Sequence, residues 1–433
     1  MKKTILILVT FFFEAISVFG QDKLTVEDAV SVALRNNYDI LVARNTAKID
    51  STNNTPGNAG MLPSLNVTGS NSYSLLNNNY LKYSDGTHTS TSNSQTNFLS
   101  ANVGLGWTLF DGGKMFVTKN KLNEIQSLGE IQYKDKVMQT VSEVIIAYYD
   151  VVRQKQELTS INEVITYNLE RVKISQTAYD AGLAPKTNLL QAKIDLNVYQ
   201  ENAINQQSII LAAKRTLNQL LGRNTDTKFE VIDSIRIEEL PDTRDMVQKL
   251  ETYNTSIQAM KKQVDISELS VKEIRSQLLP RINFNAGLNL TQNNYSQGST
   301  SVNRTIGPQI GGTFTIPIYQ AGNVSRQVKT ARIQLQSDNY DLENTRLQVA
   351  QEMQNALTQY ENQFNLLKIE KDNAVLAKEN LEITIQRLRF GQTTSLEVSQ
   401  AENNFVESLT RLINFEFNLK LAETRMKQLL SGL

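Results

Sequence analysis

The sequence predicts a mixed α and β fold. Two β-strands of membrane-crossing length are joined to very long coiled-coil helices, and the whole set occurs twice, which gives four such strands in the chain. Three observations carry this expectation: strict apolar–polar alternation in four stretches, a sustained seven-residue apolar repeat, and an internal duplication.

The alternation opens at Leu62–Leu75, where Leu65, Val67, Gly69, Asn71, Tyr73 and Leu75 interleave with Asn66, Thr68, Ser70, Ser72 and Ser74. Successive side chains of a strand point to opposite faces, so one face is mostly apolar and the other polar. Leu99, Ala101, Val103, Leu105, Trp107 and Leu109 alternate in the same way. So do Ile282, Phe284, Ala286, Leu288 and Leu290, and then Ile306, Pro308, Ile310, Gly312, Phe314, Ile316 and Ile318. Each stretch has the roughly ten residues that a tilted strand needs to cross a bilayer. An apolar outer face, a polar inner face and aromatics at the ends mark a transmembrane β-barrel. A soluble sheet with one buried face shows the same alternation.

The N-terminus adds to this. Residues 1–20 read as a secretory signal: Lys2 and Lys3, an apolar run from Ile5 to Phe13, and a small-residue site ending at Gly20. Glu14 interrupts the segment. No later run is long and apolar enough to be a spanning helix, so a membrane form of this chain would be a barrel.

Composition excludes several chemistries. The 433 residues hold 44 basic and 44 acidic side chains, one histidine, His88, and no cysteine. That balance argues against nucleic acid as a partner. It leaves no disulfide, thiolate metal site or histidine-centred catalytic set, so neither an enzyme, a metal site nor a cofactor is expected. Asp111-Gly112-Gly113 lacks the glycine spacing and lysine of a phosphate loop.

The halves repeat. Residues 35–40 align with 252–257, and Leu62-Pro63 with Leu279-Pro280, at an offset of 217. Gly113, Gly182 and Gln219-Leu220-Leu221 align with Gly322, Gly391 and Gln428-Leu429-Leu430 at an offset of 209. The offset changes only between paired strands, in the Ser/Thr/Asn-rich stretches Asn77–Asn97 and Asn293–Arg304, which are expected as loops. The expected organisation is a signal at 1–20, a first repeat at 21–222, a linker at 223–241 and a second repeat at 242–433.

Each repeat reads helix, strand, loop, strand, very long helix, turn, helix. The helices are expected at Val26–Ala59, Lys114–Tyr179 and Lys186–Leu221, then at Thr243–Gln277, Asn323–Arg389 and Thr394–Leu430. The longest would run roughly 100 Å at 1.5 Å per residue. Val137, Val144, Val151, Leu158, Ile165 and Val172 recur every seven residues, as do Met353, Tyr360, Leu367, Ala374, Leu381 and Leu388. Such a repeat marks left-handed coiled-coil packing. In the linker, Phe229, Val231, Ile232, Ile235 and Ile237 suit a short strand or packed strip.

The ordered motifs resemble the TolC-type outer-membrane efflux proteins. They are Leu24-Thr25-Val26-Glu27-Asp28-Ala29-Val30 with Leu34-Arg35-Asn36-Asn37, and Trp107-Thr108-Leu109-Phe110-Asp111-Gly112-Gly113 with its parallel Ile316-Pro317-Ile318-Tyr319-Gln320-Ala321-Gly322. The turns Tyr179-Asp180-Ala181-Gly182-Leu183-Ala184 and Arg389-Phe390-Gly391 complete the set, which spans the mature chain. The resemblance implies a homotrimer. Strand number agrees, because membrane barrels start at about eight strands and four alone leave open edges in lipid. Three chains would close a 12-stranded barrel set in outer-membrane lipid, continuous with a periplasmic α-helical coiled-coil barrel. The resemblance further implies a periplasmic adaptor and an inner-membrane transporter as partners.

It also implies roles for residues. The tips Gly182, Leu183, Ala184 and Gly391, Gln392, Thr393 would dock the adaptor; the glycines also read simply as helix caps. An acidic ring at the periplasmic constriction falls on Glu397 and Gln400, where only Glu397 is charged, which weakens cation selectivity. A solvated helix glutamate is the plainer reading of Glu397. Pro63, Gly112, Gly113, Pro280, Ala321 and Gly322 mark the strand–helix joints. Trp107, Phe110, Phe314 and Tyr319 suit an interface girdle.

The expected function is a passive exit duct of an efflux or type I secretion system, opened by the adaptor and energised by the transporter. An exported coiled-coil structural or adhesion protein without a pore is the alternative.

Overall fold

The computed structural model describes residues 23–237 and 246–432. The expected signal at 1–20 lies outside these residues, as do the end of the linker and the first residues of the second repeat. The elements in order are β1 (Lys23–Leu24), α1 (Val26–Asn36), α2 (Tyr38–Asn53), β2 (Ser64–Lys82), β3 (His88–Phe110), α3 (Lys114–Asp180) and α4 (Lys186–Leu220). After β4 (Glu230–Val231) come α5 (Met246–Tyr253), α6 (Thr255–Arg275), a 3₁₀ turn (Ser276–Leu278), β5 (Arg281–Tyr295), β6 (Val302–Thr315), α7 (Asn323–Arg389) and α8 (Ser395–Leu429). The fold is mixed and mostly helical. No described helix is long and apolar enough to cross a membrane.

The chain forms two compact units. Among the described residues, the first holds 23–41, 137–237, 246 and 353–432; the second holds 42–136 and 247–352.

The first unit has a core where α1, α3 and α4 meet the linker. Ala29 and Ala33, Val144, Tyr148 and Val151, Leu217 and Leu221, and Phe229 and Val231 are buried there. The linker strip therefore forms as expected: β4 pairs in parallel with β1, and Ile232 and Ile237 pack against the core. The Tyr148 hydroxyl donates to the Leu24 carbonyl at 2.8 Å and fixes β1 to α3. Nearer the helix turns, a second core joins Val164 of α3, Leu381 and Ile385 of α7, and Val398, Ala401 and Phe405 of α8.

Along α7 the seven-residue stripe is buried at Met353, Leu367, Ala374 and Leu381. Along α3 it is buried at Val144 and Val151, but Leu158, Ile165 and Val172 are only half-buried. The buried line there has moved to Val164, Asn168, Arg171 and Ser175. A helix of 3.6 residues per turn drifts against a strict seven-residue spacing, and α3 follows the drift.

The second unit holds an antiparallel sheet in the order β2–β3–β5–β6. Its first hairpin is longer than expected. Most of Asn77–Asn97 is paired strand, ending at a tight turn around Gly86, rather than open loop. Its many threonines and serines are polar yet compatible with a paired ribbon, and Thr is β-branched. The helices expected at 26–59 and 243–277 are each broken once. At Asn37 the side chain accepts the amides of Asp39 and Ile40; at Asn254 it accepts the amide of Ile257. Asparagine stops one helix and caps the next while the apolar periodicity runs on through the break.

Candidate functional site

Two regions gather the residues that the sequence singles out: the helix turns of the first unit and the sheet of the second.

Both turns end their helices in the same way. Gly182 (φ 69°) follows α3, with its amide on the Tyr179 carbonyl at 2.9 Å and the Leu183 amide on the Ala178 carbonyl at 2.8 Å. Gly391 (φ 68°) follows α7, with its amide on Leu388 at 3.0 Å and that of Gln392 on Arg387 at 2.8 Å. This double bond pattern closes the last carbonyls of a helix and needs a left-handed residue, hence glycine. Beyond the caps, Leu183, Phe390 and Leu396 are 83%, 72% and 78% exposed. The two turns border one cleft of about 970 Å³, lined by Leu183, Ala184, Gly391 and Thr393 among others. The structure thus brings the two predicted tips together around a shared apolar-edged cleft.

Glu397 and Gln400 are both exposed on the first turns of α8. Thr394 caps that helix by accepting the Glu397 amide at 3.2 Å, and the Thr393 hydroxyl donates to the Glu397 carboxylate. Gln400 donates to Asn404 at 3.1 Å.

Behind the tips lies a network that sequence reasoning missed. Arg171 is fully buried. Its Nη1 reaches Glu402 at 2.8 Å and Asp195 at 2.9 Å, and its Nη2 donates to Ser395 Oγ at 2.9 Å. One guanidinium thereby ties α3 to α4 and α8. Burial pushes the Glu402 carboxyl up to about 7; Arg171 opposes this and Asp195 adds to it. The signal was present in the sequence, because Glu402 stands on the stripe Val398, Ala401, Phe405, where an apolar residue is the norm. A similar tie joins α7 to α8, where Glu370 accepts from Ser408 at 2.6 Å and Arg411 at 3.1 Å. Burial would raise Glu370, but the hydrogen bonds from Ser408, Arg411 and Asn373 hold it below the usual carboxylate range.

In the sheet, the apolar positions lie on one face and are largely exposed: Val67 75%, Leu65 67%, Ile310 76% and Phe314 62%. The opposite face is polar and hollowed by a cavity of about 510 Å³. Residues 67, 103 and 288 share a register line, as do 68, 102 and 289, so the faces match across these strands until the β3–β5 register shifts between Thr108 and Phe110. At the joint into α3, Gly112 (φ 76°) is pressed against the 3₁₀ turn and the residue after it: an added Cβ would lie 2.5 Å from the Ser276 carbonyl oxygen and 2.6 Å from Leu279 Cβ. Gly113 and Gly322 also have positive φ, and so does Ala321 (51°). Asp111 caps α3 by accepting the Met115 amide at 3.0 Å. Pro63 and Pro280 stand immediately before Ser64 and Arg281, the first residues of β2 and β5. Trp107 donates to the Met61 carbonyl at 3.0 Å. Among the described residues no group of His, Cys, Asp or Glu is placed to hold a metal ion.

A model of the family described as outer membrane efflux protein matches residues 29–223 and 246–432. The chain belongs to this family. Its members are passive outer-membrane channels with a large periplasmic tunnel, not enzymes. Among relatives of this efflux-protein chain, the proteases secretion protein PrtF of Dickeya chrysanthemi is 20% identical over 90% of this chain and 84% of that protein. The outer membrane protein TolC of Escherichia coli is 19% identical over 78% of this chain and 70% of its own length. Among solved structures, the Campylobacter jejuni CmeC outer membrane channel superposes with a TM-score of 0.78 at 17% identity, covering 94% of this chain and 85% of that one.

Proposed function

We propose that this efflux-family chain is the outer-membrane exit duct of a tripartite efflux or type I secretion system. Three copies close a 12-stranded barrel from their four-stranded sheets. The observation that carries this reading is the sheet itself. It has an exposed apolar face, a polar face, and two strands, β2 and β6, each with one unpaired edge. Unpaired backbone edges are untenable in lipid, and closure by further copies removes them.

The chain is read as an internal duplication, 21–222 and 242–433, with 223–241 as linker. Helices α3 and α7 of 67 residues each, and α4 and α8 of 35 each, support it. So do Asn37 and Asn254, which cap at aligned positions, and Ile40 and Ile257, both 2% exposed.

The tips Gly182, Leu183, Ala184, Gly391, Gln392 and Thr393 dock a periplasmic adaptor, with exposed Leu183 and Phe390 as the apolar contacts. Glu397 and Gln400 line the periplasmic constriction, three carboxylates per trimer. An inner-membrane transporter supplies the energy and selects the cargo, since the chain carries no nucleotide-binding motif. PrtF is named for protease secretion and the family for efflux, so both kinds of system fit.

The experiment is extraction of the outer membrane in detergent followed by planar-bilayer recording. Trimers that conduct are expected. A monomer in the soluble periplasm without conductance would favour the exported coiled-coil scaffold and sink the duct.

A further inference from the structure

Between Arg281 at the helix end of β5 and Lys82 at the hairpin end of β2, the polar face of the sheet carries no charge. Its positions run from Ser64 to Ser74, from Thr96 to Gly106, from Asn283 to Asn293 and from Asn303 to Thr313. Among these described residues none is Asp, Glu, Lys or Arg, and Phe98 alone is a large apolar side chain.

Across the middle of this face the amides connect. Asn102 of β3 donates to Asn289 of β5, and Asn289 Nδ2 donates to Gln309 Oε1 of β6 at 2.7 Å. Glycines make room for the run. A Cβ at Gly104 would fall 2.7 Å from Asn102 Oδ1, and one at Gly287 would fall 3.3 Å from Asn102 Nδ2 and 2.9 Å from the Val103 carbonyl oxygen. The Asn102 amide therefore lies down over the strands, and a side chain at either glycine would push it out. Charge rings are what give a pore a preference for one sign of ion. A ring of hydrogen-bonded amides offers donors and acceptors with no net charge.

We infer that Asn102, Asn289 and Gln309, seated over Gly104 and Gly287, form a neutral amide collar that makes the barrel indifferent to the charge of its cargo. The inference rests on the exit-duct reading. Solutes of either sign, and neutral hydrogen-bonding solutes, pass the collar alike, and width alone limits them.

The test records trimers carrying both Glu397→Gln and Arg281→Gln in planar bilayers under a KCl gradient, so that neither the tip carboxylate nor the guanidinium at the foot of the polar face contributes. A potassium-to-chloride permeability ratio of about 1 is expected for this parent. Adding Asn102→Asp places a ring of carboxylates at the collar and should raise the ratio about 3- to 10-fold. Asn289→Asp serves as the second variant if the first does not assemble, with the same expectation. Gly104→Leu should lower conductance while the ratio stays near unity. A conducting parent with strong preference for one ion overturns the collar, and so does a conducting Asp variant with an unchanged ratio. A parent that inserts as a trimer yet never conducts counts instead against the duct.

Discussion

Positions 112 and 321 stand at corresponding joints, where a strand hands over to a long helix. Both adopt positive φ, yet one is glycine and the other alanine. The difference lies in the neighbours. At 112 a Cβ would meet the Ser276 carbonyl oxygen and Leu279, whereas Ala321 is exposed. Gly112→Ala should destabilise by more than about 2 kcal/mol, and Ala321→Gly should stabilise by up to about 1 kcal/mol. Thermal unfolding in detergent measures both. The buried Arg171 offers a second pair of outcomes. Arg171→Ala leaves Glu402 and Asp195 facing each other without their cation and should cost about 3–5 kcal/mol. Loss of hydrogen-exchange protection is expected in the tip-proximal ends of α3, α4 and α8 first. Glu402 sets a pH dependence. Its carboxyl is raised in the folded chain from 4.5 to about 7, so its favourable contribution is complete below the unfolded value. That contribution is lost as pH rises between about 4.5 and 7, because the folded chain must then ionise a buried group. Glu402→Gln should flatten that slope, while Asp195 continues to pair Arg171. A melting series across this range, with and without the substitution, checks the sign.

At the scale of elements, the two turn-capped tips act as a pair, and the exposed Leu183 and Phe390 are the side chains that a docking partner would cover. Leu183→Glu together with Phe390→Glu should abolish crosslinking to the adaptor in cells while trimer yield and single-channel conductance stay within about twofold. Much of this level was legible from residue order. Strand alternation, the bounds of α3 and α7, and the glycine turns follow from local rules of face and cap. The breaks at Asn37 and Asn254 were not, because an asparagine within a periodic helix looks like any polar position until its side chain takes the next helix's amides. The length of the first hairpin was hidden too: Ser and Thr runs read as loop when nothing in the sequence says what they pair with. The Arg171 network needed three helices distant in sequence to converge. Only Glu402, on its apolar stripe, hinted at it.

For the whole molecule, the open edges of β2 and β6 are what the proposed trimer would close. Purified protein should run as a trimer that dissociates on boiling. The same edges bear on biogenesis. A lone chain released into the periplasm presents two sticky borders and an oily face, so it must be held apart from other strands until its companions arrive.

The first hairpin outreaches the second: β3 pairs with β5 only as far as Thr96, while its pairing with β2 continues to His88. In an assembled duct the surplus ribbon, ending at the Asp85–Gly86 turn, would stand clear of the bilayer on the outer surface of the cell. An epitope grafted there would be displayed to antibody on living bacteria, in three copies per duct, without touching the wall that the cargo passes.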